Sequence, residues 1–184
     1  MHDLLLRVRR TPDRLLHPLR RRKAVAALRS RPRPTALLVI CHGNICRSPV
    51  AAALLSRALA PLGISVRSAG LIGYNRPSPA EAVTAAAEHD IDLTNHRSSL
   101  VTAQLIRAAD LIIVMDAGQR RHLYERFGFP FSNVAILGDF DPHPVETRTI
   151  RDPVDQRSEV FASVYARIAR CVRALAEVLA GARS

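Results

Sequence analysis

The chain has 184 residues, enough for one domain with a packed core and a short appendage. Hydrophobic residues make up 48% and aromatic ones 4%, so the core is expected to be aliphatic. No apolar run reaches the length of a membrane-spanning helix and no secretory segment is recognisable. The formal net charge is +11, and three cysteines without paired spacing point to a reducing compartment, taken as the cytoplasm.

That charge is concentrated at one end. Residues 1–34 hold 11 of the 27 basic residues against two acids, Asp3 and Asp13, whereas the remainder is nearly balanced. The imbalance divides the chain into a basic N-terminal arm with a Pro-rich linker, 1–34, and a folded domain, 35–184. Pro12, Pro18, Pro32 and Pro34 are expected to break the arm into short pieces, and Arg31-Pro32-Arg33-Pro34 reads as an extended linker. Leu15, Leu16 and Leu19 beside the run Arg20–Lys23 suit weak, peripheral contact with an anionic membrane. The same composition also fits a solvated tail or a cleaved targeting peptide. With no recognition motif and no interleaved aromatics, specific nucleic-acid binding is not expected.

From Thr35 the pattern changes. A strand is expected at 36–41, a helix at 48–60, a strand at 64–68, a helix at 79–89 and a shorter helix at 102–108. A strand at 111–115, a helix at 118–127 and a short strand at 134–137 follow. The last helix, 158–180, has one apolar stripe of Phe161, Val164, Tyr165, Ile168, Val172, Leu175 and Leu179, and stops near Gly181. Four strands alternating with helices imply an α/β fold: a four-stranded parallel sheet with helices on both faces and its ligand site at the strands' carboxyl ends.

The first strand runs into the loop Cys41-His42-Gly43-Asn44-Ile45-Cys46-Arg47. Ser48 then takes the expected N-cap position, with Pro49 at the first helical residue. Loop N–H groups and the free N–H groups of the helix's first turn would converge on one point, where the helix dipole adds positive potential. Arg47 supplies a planar fork for two phosphate oxygens. A cysteine at the base of such a cradle is favoured as thiolate, the nucleophilic form. This phosphate-binding loop therefore suits attack by Cys41 on a phosphate monoester, with Ser48 donating to the sulfur. Two Asp-Pro pairs, Asp141-Pro142 and Asp152-Pro153, compete as the acid that protonates the leaving oxygen. Cys171 on the last helix reads as core. The seven His are scattered, and neither a metal site nor a cofactor is expected.

The spacing Cys41-x5-Arg47-Ser48, with Gly43, Asn44, Ile45, Cys46 and Pro49, resembles the low-molecular-weight protein tyrosine phosphatase family. Ser68-Ala69-Gly70, Asn95-His96-Arg97 and Ala109–Asp116 are similar to further family segments, so the resemblance covers roughly 36–180. It implies hydrolysis of phosphotyrosine through a phosphocysteine, without metal or cofactor, with Cys41, Arg47 and Asp152 catalytic. His42, Gly43, Asn44, Ile45, Cys46 and Ser48 would form the substrate cradle, with Asn44 bracing it and Tyr74 flanking the ring. It also implies a reversible Cys41–Cys46 disulfide and a phosphotyrosine protein as partner, such as a bacterial tyrosine kinase. Val154 stands where the family usually has an aromatic wall. Of the alternatives on the same fold, a phosphoarginine phosphatase would typically carry Thr at Ile45, and an arsenate reductase needs relay cysteines. A non-enzymatic phosphate-binding module would not need the full set of Cys41, Arg47, Ser48 and Asp152.

Overall fold

The computed structural model describes residues 2–182, with side chains from Asp13 to Ala182, so Arg7, Arg9 and Arg10 of the arm lie outside the described side chains. In chain order the elements are α1 (His2–Arg29), β1 (Ala36–Cys41), α2 (Arg47–Leu59), β2 (Ser65–Gly70), α3 (Ala80–Ala87) and α4 (Ala103–Arg107). They continue with β3 (Leu111–Val114), α5 (Ala117–Phe127), β4 (Val134–Ile136) and α6 (Ser158–Ala180). The strands pair in the order β2-β1-β3-β4, all parallel.

The central strands β1 and β3 are apolar on both faces, and the twofold alternation along them divides the core in two. Leu37, Val39 and Cys41 of β1, with Leu111 and Ile113 of β3, join a cluster that includes Val50 and Leu55 of α2, Ala82 of α3, and Phe161, Tyr165 and Ile168 of α6. Leu38 and Ile40, with Ile112 and Val114, meet Ile106 of α4 and Leu123 of α5 on the opposite face. Each such side chain contributes about 1.5–3 kcal/mol on full burial, so β1, filled on both sides, is a rigid base for the loop that follows it. The stripe expected on α6 is the buried one in every position named above, and Cys171 lies with it, fully buried.

Two local expectations are corrected. Strand β2 runs on to Gly70. Helix α2 begins at Arg47, with Cys46 at the cap position and no side-chain cap, so Ser48 is not the N-cap. Its hydroxyl is turned instead toward Cys41 and Asn44.

The arm is also corrected. It is not broken into pieces: α1 runs through Pro18 to Arg29. A proline inside a helix costs about 3 kcal/mol, and the docked face offsets that cost. His17 is buried and its Nε2 donates to the Asp141 carbonyl at 2.9 Å. Leu28 is 4% exposed, with Ala24 and Val25 packed on the same core. Burial of Leu28 alone contributes about 1.5–3 kcal/mol and the hydrogen bond about 1 more. The Pro-rich linker is fastened too. Arg31 donates to Asn133 Oδ1 at 2.7 Å, and the Arg33 guanidinium donates to the carbonyls of Leu179, Ala180 and Ala182 at 3.2, 3.1 and 2.9 Å, capping the end of α6.

Candidate active site

Strand β1 ends at Cys41, and the chain folds back at once to start α2 at Arg47, six residues later. The return needs one residue in the left-handed region. Asn44, at φ 51°, supplies it, a conformation that Asn tolerates better than most side chains. Cys41 Sγ then accepts from the Asn44 backbone N–H at 3.2 Å and from the Ser48 hydroxyl at 3.1 Å. The Asn44 side chain donates to Ser48 Oγ and to Ser68 Oγ, both at 2.9 Å, and accepts from the Ser99 N–H at 2.9 Å. His96 Nε2 donates to the Asn44 carbonyl at 2.7 Å. One buried amide thus ties the loop to α2, to β2 and to the segment before α4. Gly70 closes the back: a Cβ there would lie 2.9 Å from both Asn44 N and Gly43 C.

Arg47 is 3% exposed. One terminal nitrogen donates to the Ile150 carbonyl at 3.1 Å and the other is paired with the Asp152 carboxylate. Its Nε is buried without a hydrogen-bond partner, an N–H of the kind an oxyanion satisfies. The Asp152 side chain is 41% exposed, so it is held at one end and free to move at the other. Asp141 is the opposite case. It is fully buried, accepting from Arg167 Nε at 3.1 Å, from Arg170 at 2.8 and 2.9 Å, and from the His143 N–H at 3.2 Å. Burial pushes its pKa up, but the hydrogen bonds from Arg170, His143 and Arg167 outweigh burial and leave it below the ordinary carboxylate value. Such a carboxylate is a poor proton donor, and it faces the helix α6, not Cys41.

A cavity of about 150 Å³ opens over the sulfur. It is lined by Cys41, His42, Gly43, Ile45, Cys46 and Arg47 of the loop and by Ile72, Arg76, Asp152 and Val154 around the rim. A wider groove of about 530 Å³ shares His42, Arg47, Ile72 and Asp152 and continues to Asp116, His122 and Arg126. The loop residues expected in the cradle therefore line it, apart from Asn44 and Ser48, which brace it from behind. Tyr74, expected beside the substrate, is 74% exposed and does not line the cavity; Ile72 forms that wall. Arg76 and His96 were not singled out for these roles. Arg76 lies two residues beyond the exposed Tyr74, and its guanidinium comes within 2.7 Å of a Cβ built on Gly43. His96 stood in the Asn95-His96-Arg97 segment but had no role that spacing could reveal.

The second loop cysteine stays a thiol. Burial first, then the charges of Cys41 and Asp152, push Cys46 up to about 12. Tyr165, whose hydroxyl donates to the Cys46 carbonyl at 3.2 Å, is pushed up by the same causes in the same order, with Cys46 added. Cys171 is raised to about 12, chiefly by burial. All three cysteines are free. Among the described residues no group of His, Cys, Asp and Glu is placed to hold a metal, and no helix is long and apolar enough to cross a membrane.

A sulfur at the carboxyl end of the first strand, with a buried guanidinium at the start of the next helix, defines a cysteine-dependent phosphatase of α/β fold. The chain belongs to the low molecular weight phosphotyrosine protein phosphatase family, whose model matches residues 36–184. It is 40% identical over 141 residues to the probable low molecular weight protein-tyrosine-phosphatase EpsP of Ralstonia solanacearum, covering 75% of this chain and 91% of that one. Among solved structures it superposes on Vibrio vulnificus Wzb in complex with benzylphosphonate with a TM-score of 0.69 at 30% identity, covering 78% of this chain and 98% of that one. The arginine phosphatase YwlE from Geobacillus stearothermophilus is matched with the same TM-score and identity, over 78% and 92%. Helix α1 precedes the part of the chain that the family model matches.

Proposed function

We propose that this phosphatase hydrolyses phosphotyrosine on a protein substrate, with Cys41 as nucleophile, Arg47 as the phosphate clamp and Asp152 as the acid and then the base. In the free enzyme the Asp152 carboxylate sits on the Arg47 fork. A phosphate dianion competes for the same guanidinium, which releases the Asp152 carboxylate to take up a proton from solvent and turn toward the leaving oxygen. Cys41 Sγ attacks phosphorus, the bond from phosphorus to the phenolic oxygen breaks, and that oxygen takes the proton of Asp152. Arg47 and the loop N–H groups hold the equatorial oxygens, where charge accumulates. Asp152, now a carboxylate, takes a proton from water as the water attacks the phosphocysteine. The bond to sulfur breaks, inorganic phosphate leaves, and Ser48 donates to the departing thiolate.

The observation that carries the assignment of Asp152 over Asp141 is their environment: one lines the cavity and is half free, the other is fully buried between two arginines. The apolar wall of Ile45, Ile72 and Val154 favours an aryl ester over phosphoarginine, although arginine phosphatases share the fold. The family resemblance implies a bacterial tyrosine kinase as substrate. The exposed Leu15, Leu16 and Leu19 of α1, next to Arg14 and Arg22, support weak contact with an anionic membrane surface from the cytoplasmic side.

The test is a kinetic comparison on phosphotyrosine and phosphoarginine peptides. Cys41→Ser should abolish turnover and still bind vanadate. Asp152→Asn should slow aryl phosphate hydrolysis by about 10²–10⁴-fold, less for leaving groups that need no proton. A loss of that size and dependence in Asp141→Asn instead would overturn the assignment, and faster release from phosphoarginine would overturn the substrate class.

A further inference from the structure

Helix α1 does not lie flush on the sheet edge. Between it and β4 is a cavity of about 320 Å³, larger than the one over Cys41 and sharing no lining residue with it. Its apolar part is built from Leu28 of α1, Leu111 of β3, Phe131 and Ile136. Its polar part is almost entirely cationic: Arg20 and Lys23 come from α1, Arg120 from α5 and Arg148 from the loop beyond β4, against the single carboxylate of Asp139.

The pairing among these groups is incomplete. Arg20 is paired with Asp13 and Arg148 with Asp139. Neither Lys23 nor Arg120 forms an ion pair among the described residues, and Arg120 Nε is buried without any hydrogen-bond partner. Arg120 is held in place from one side by the Phe131 ring, 5.3 Å from its guanidinium carbon, and Phe131 is itself stacked on Tyr124 at 4.9 Å. Burial first, and next the charge of Arg148, disfavour the charged form of Arg120, with Asp139 acting the other way. Like charges gathered at one wall, with a buried N–H left over, are stabilised by an anion placed among them.

We propose that this cavity is a second anion site, which takes a small phosphorylated molecule with an apolar body and holds its phosphate between Lys23 and Arg120. The apolar body rests on Leu28, Phe131 and Ile136. Because Lys23 and Leu28 belong to α1, the bound molecule also fastens α1 to the domain, which is a contact the matched family region 36–184 cannot make by itself.

The experiment is a titration of the full chain with phenylphosphonate, which is not hydrolysed, followed by backbone amide shifts. Two groups of signals should move and saturate at different concentrations: residues 42–48 of the active loop, and residues 131–136 together with 23–28. Lys23→Met, an exposed position, should weaken the second group by about tenfold and leave the first group and turnover of p-nitrophenyl phosphate unchanged. Arg120→Met should do the same. Inorganic phosphate should reach the second site more weakly than phenylphosphonate, because it lacks the apolar body. The proposal fails if residues 131–136 do not respond, if they respond equally in Lys23→Met, or if inorganic phosphate binds there as tightly as phenylphosphonate.

Discussion

Replacing Asp141 by Asn separates a structural carboxylate from a chemical one. Asp141 is fully buried, whereas the side chains of its partners Arg167 and Arg170 are 18% and 35% exposed. Breaking a wholly buried pair costs about 3–5 kcal/mol, because the remaining charge is stranded. Here both guanidinium groups keep some access to water, and Arg167 retains its bonds to the carbonyls of Thr147 and Thr149 at 2.7 and 2.9 Å. The expected loss is therefore about 2–4 kcal/mol, or roughly 5–15 °C in Tm for a chain of this size. The pH dependence follows from the direction of the shift. The folded pKa of Asp141 lies below its ordinary 3.8. Its contribution is thus fully present above that value and is lost as pH falls through the folded one. Thermal melts of the two proteins should differ most near neutral pH and converge in acid. The variant's kcat on aryl phosphates should fall by a similar factor for good and poor leaving groups. A variant that melts like the parent at pH 7 would refute the reasoning about burial.

Two further outcomes are expected. Gly70→Ala puts a methyl group against loop backbone at 2.9 Å, which no side-chain rotation relieves; a loop displaced by even 1 Å should lower kcat/KM on p-nitrophenyl phosphate by about 10²-fold. Deleting residues 1–34 uncovers the site of Leu28 and removes the His17 bond, so the truncated chain should lose about 2–4 kcal/mol in urea melts and should also lose low-salt sedimentation with anionic vesicles.

The sheet, the loop and Arg47 were legible because their causes are local. Four apolar residues, a seven-residue return and Pro49 sit in one stretch of chain, and the alternation of strands with helices dictates the rest. The α6 stripe was legible for the same reason. What was not legible depends on partners distant in sequence. Pro18 signals a break by itself, and the burial of His17 and Leu28 against residues more than a hundred positions away cannot be read from the arm's charge. Ser48 has the composition of a cap, yet the sulfur at Cys41 and the amide of Asn44 are the stronger partners for its hydroxyl. Tyr74 and Ile72 differ only in which way the segment after β2 turns. Asp141 and Asp152 stand in identical Asp-Pro pairs, which only the family resemblance separates in the sequence; in the structure their surroundings differ, arginines of α6 around the one and the cavity beside the other.

The bonds around Asn44 also have a direction. The Ser99 N–H can only donate, so the Asn44 atom facing it is the oxygen, and the NH₂ must face Ser48. Ser48 Oγ then accepts a hydrogen bond from the amide, and its own single hydrogen points at Cys41 Sγ at 3.1 Å, nearer than the Ala69 carbonyl at 3.4 Å. The chain is polarised one way, from a main-chain donor at position 99 to the sulfur as terminal acceptor, and each link strengthens the next. An Asp at position 44 would reverse it: with acceptors on both oxygens, the Ser48 hydrogen would turn away from sulfur, and a negative charge would stand behind the nucleophile. The orientation is set by a backbone group, so Ser99→Pro is the substitution that would remove the first donor while leaving every side chain of the loop intact.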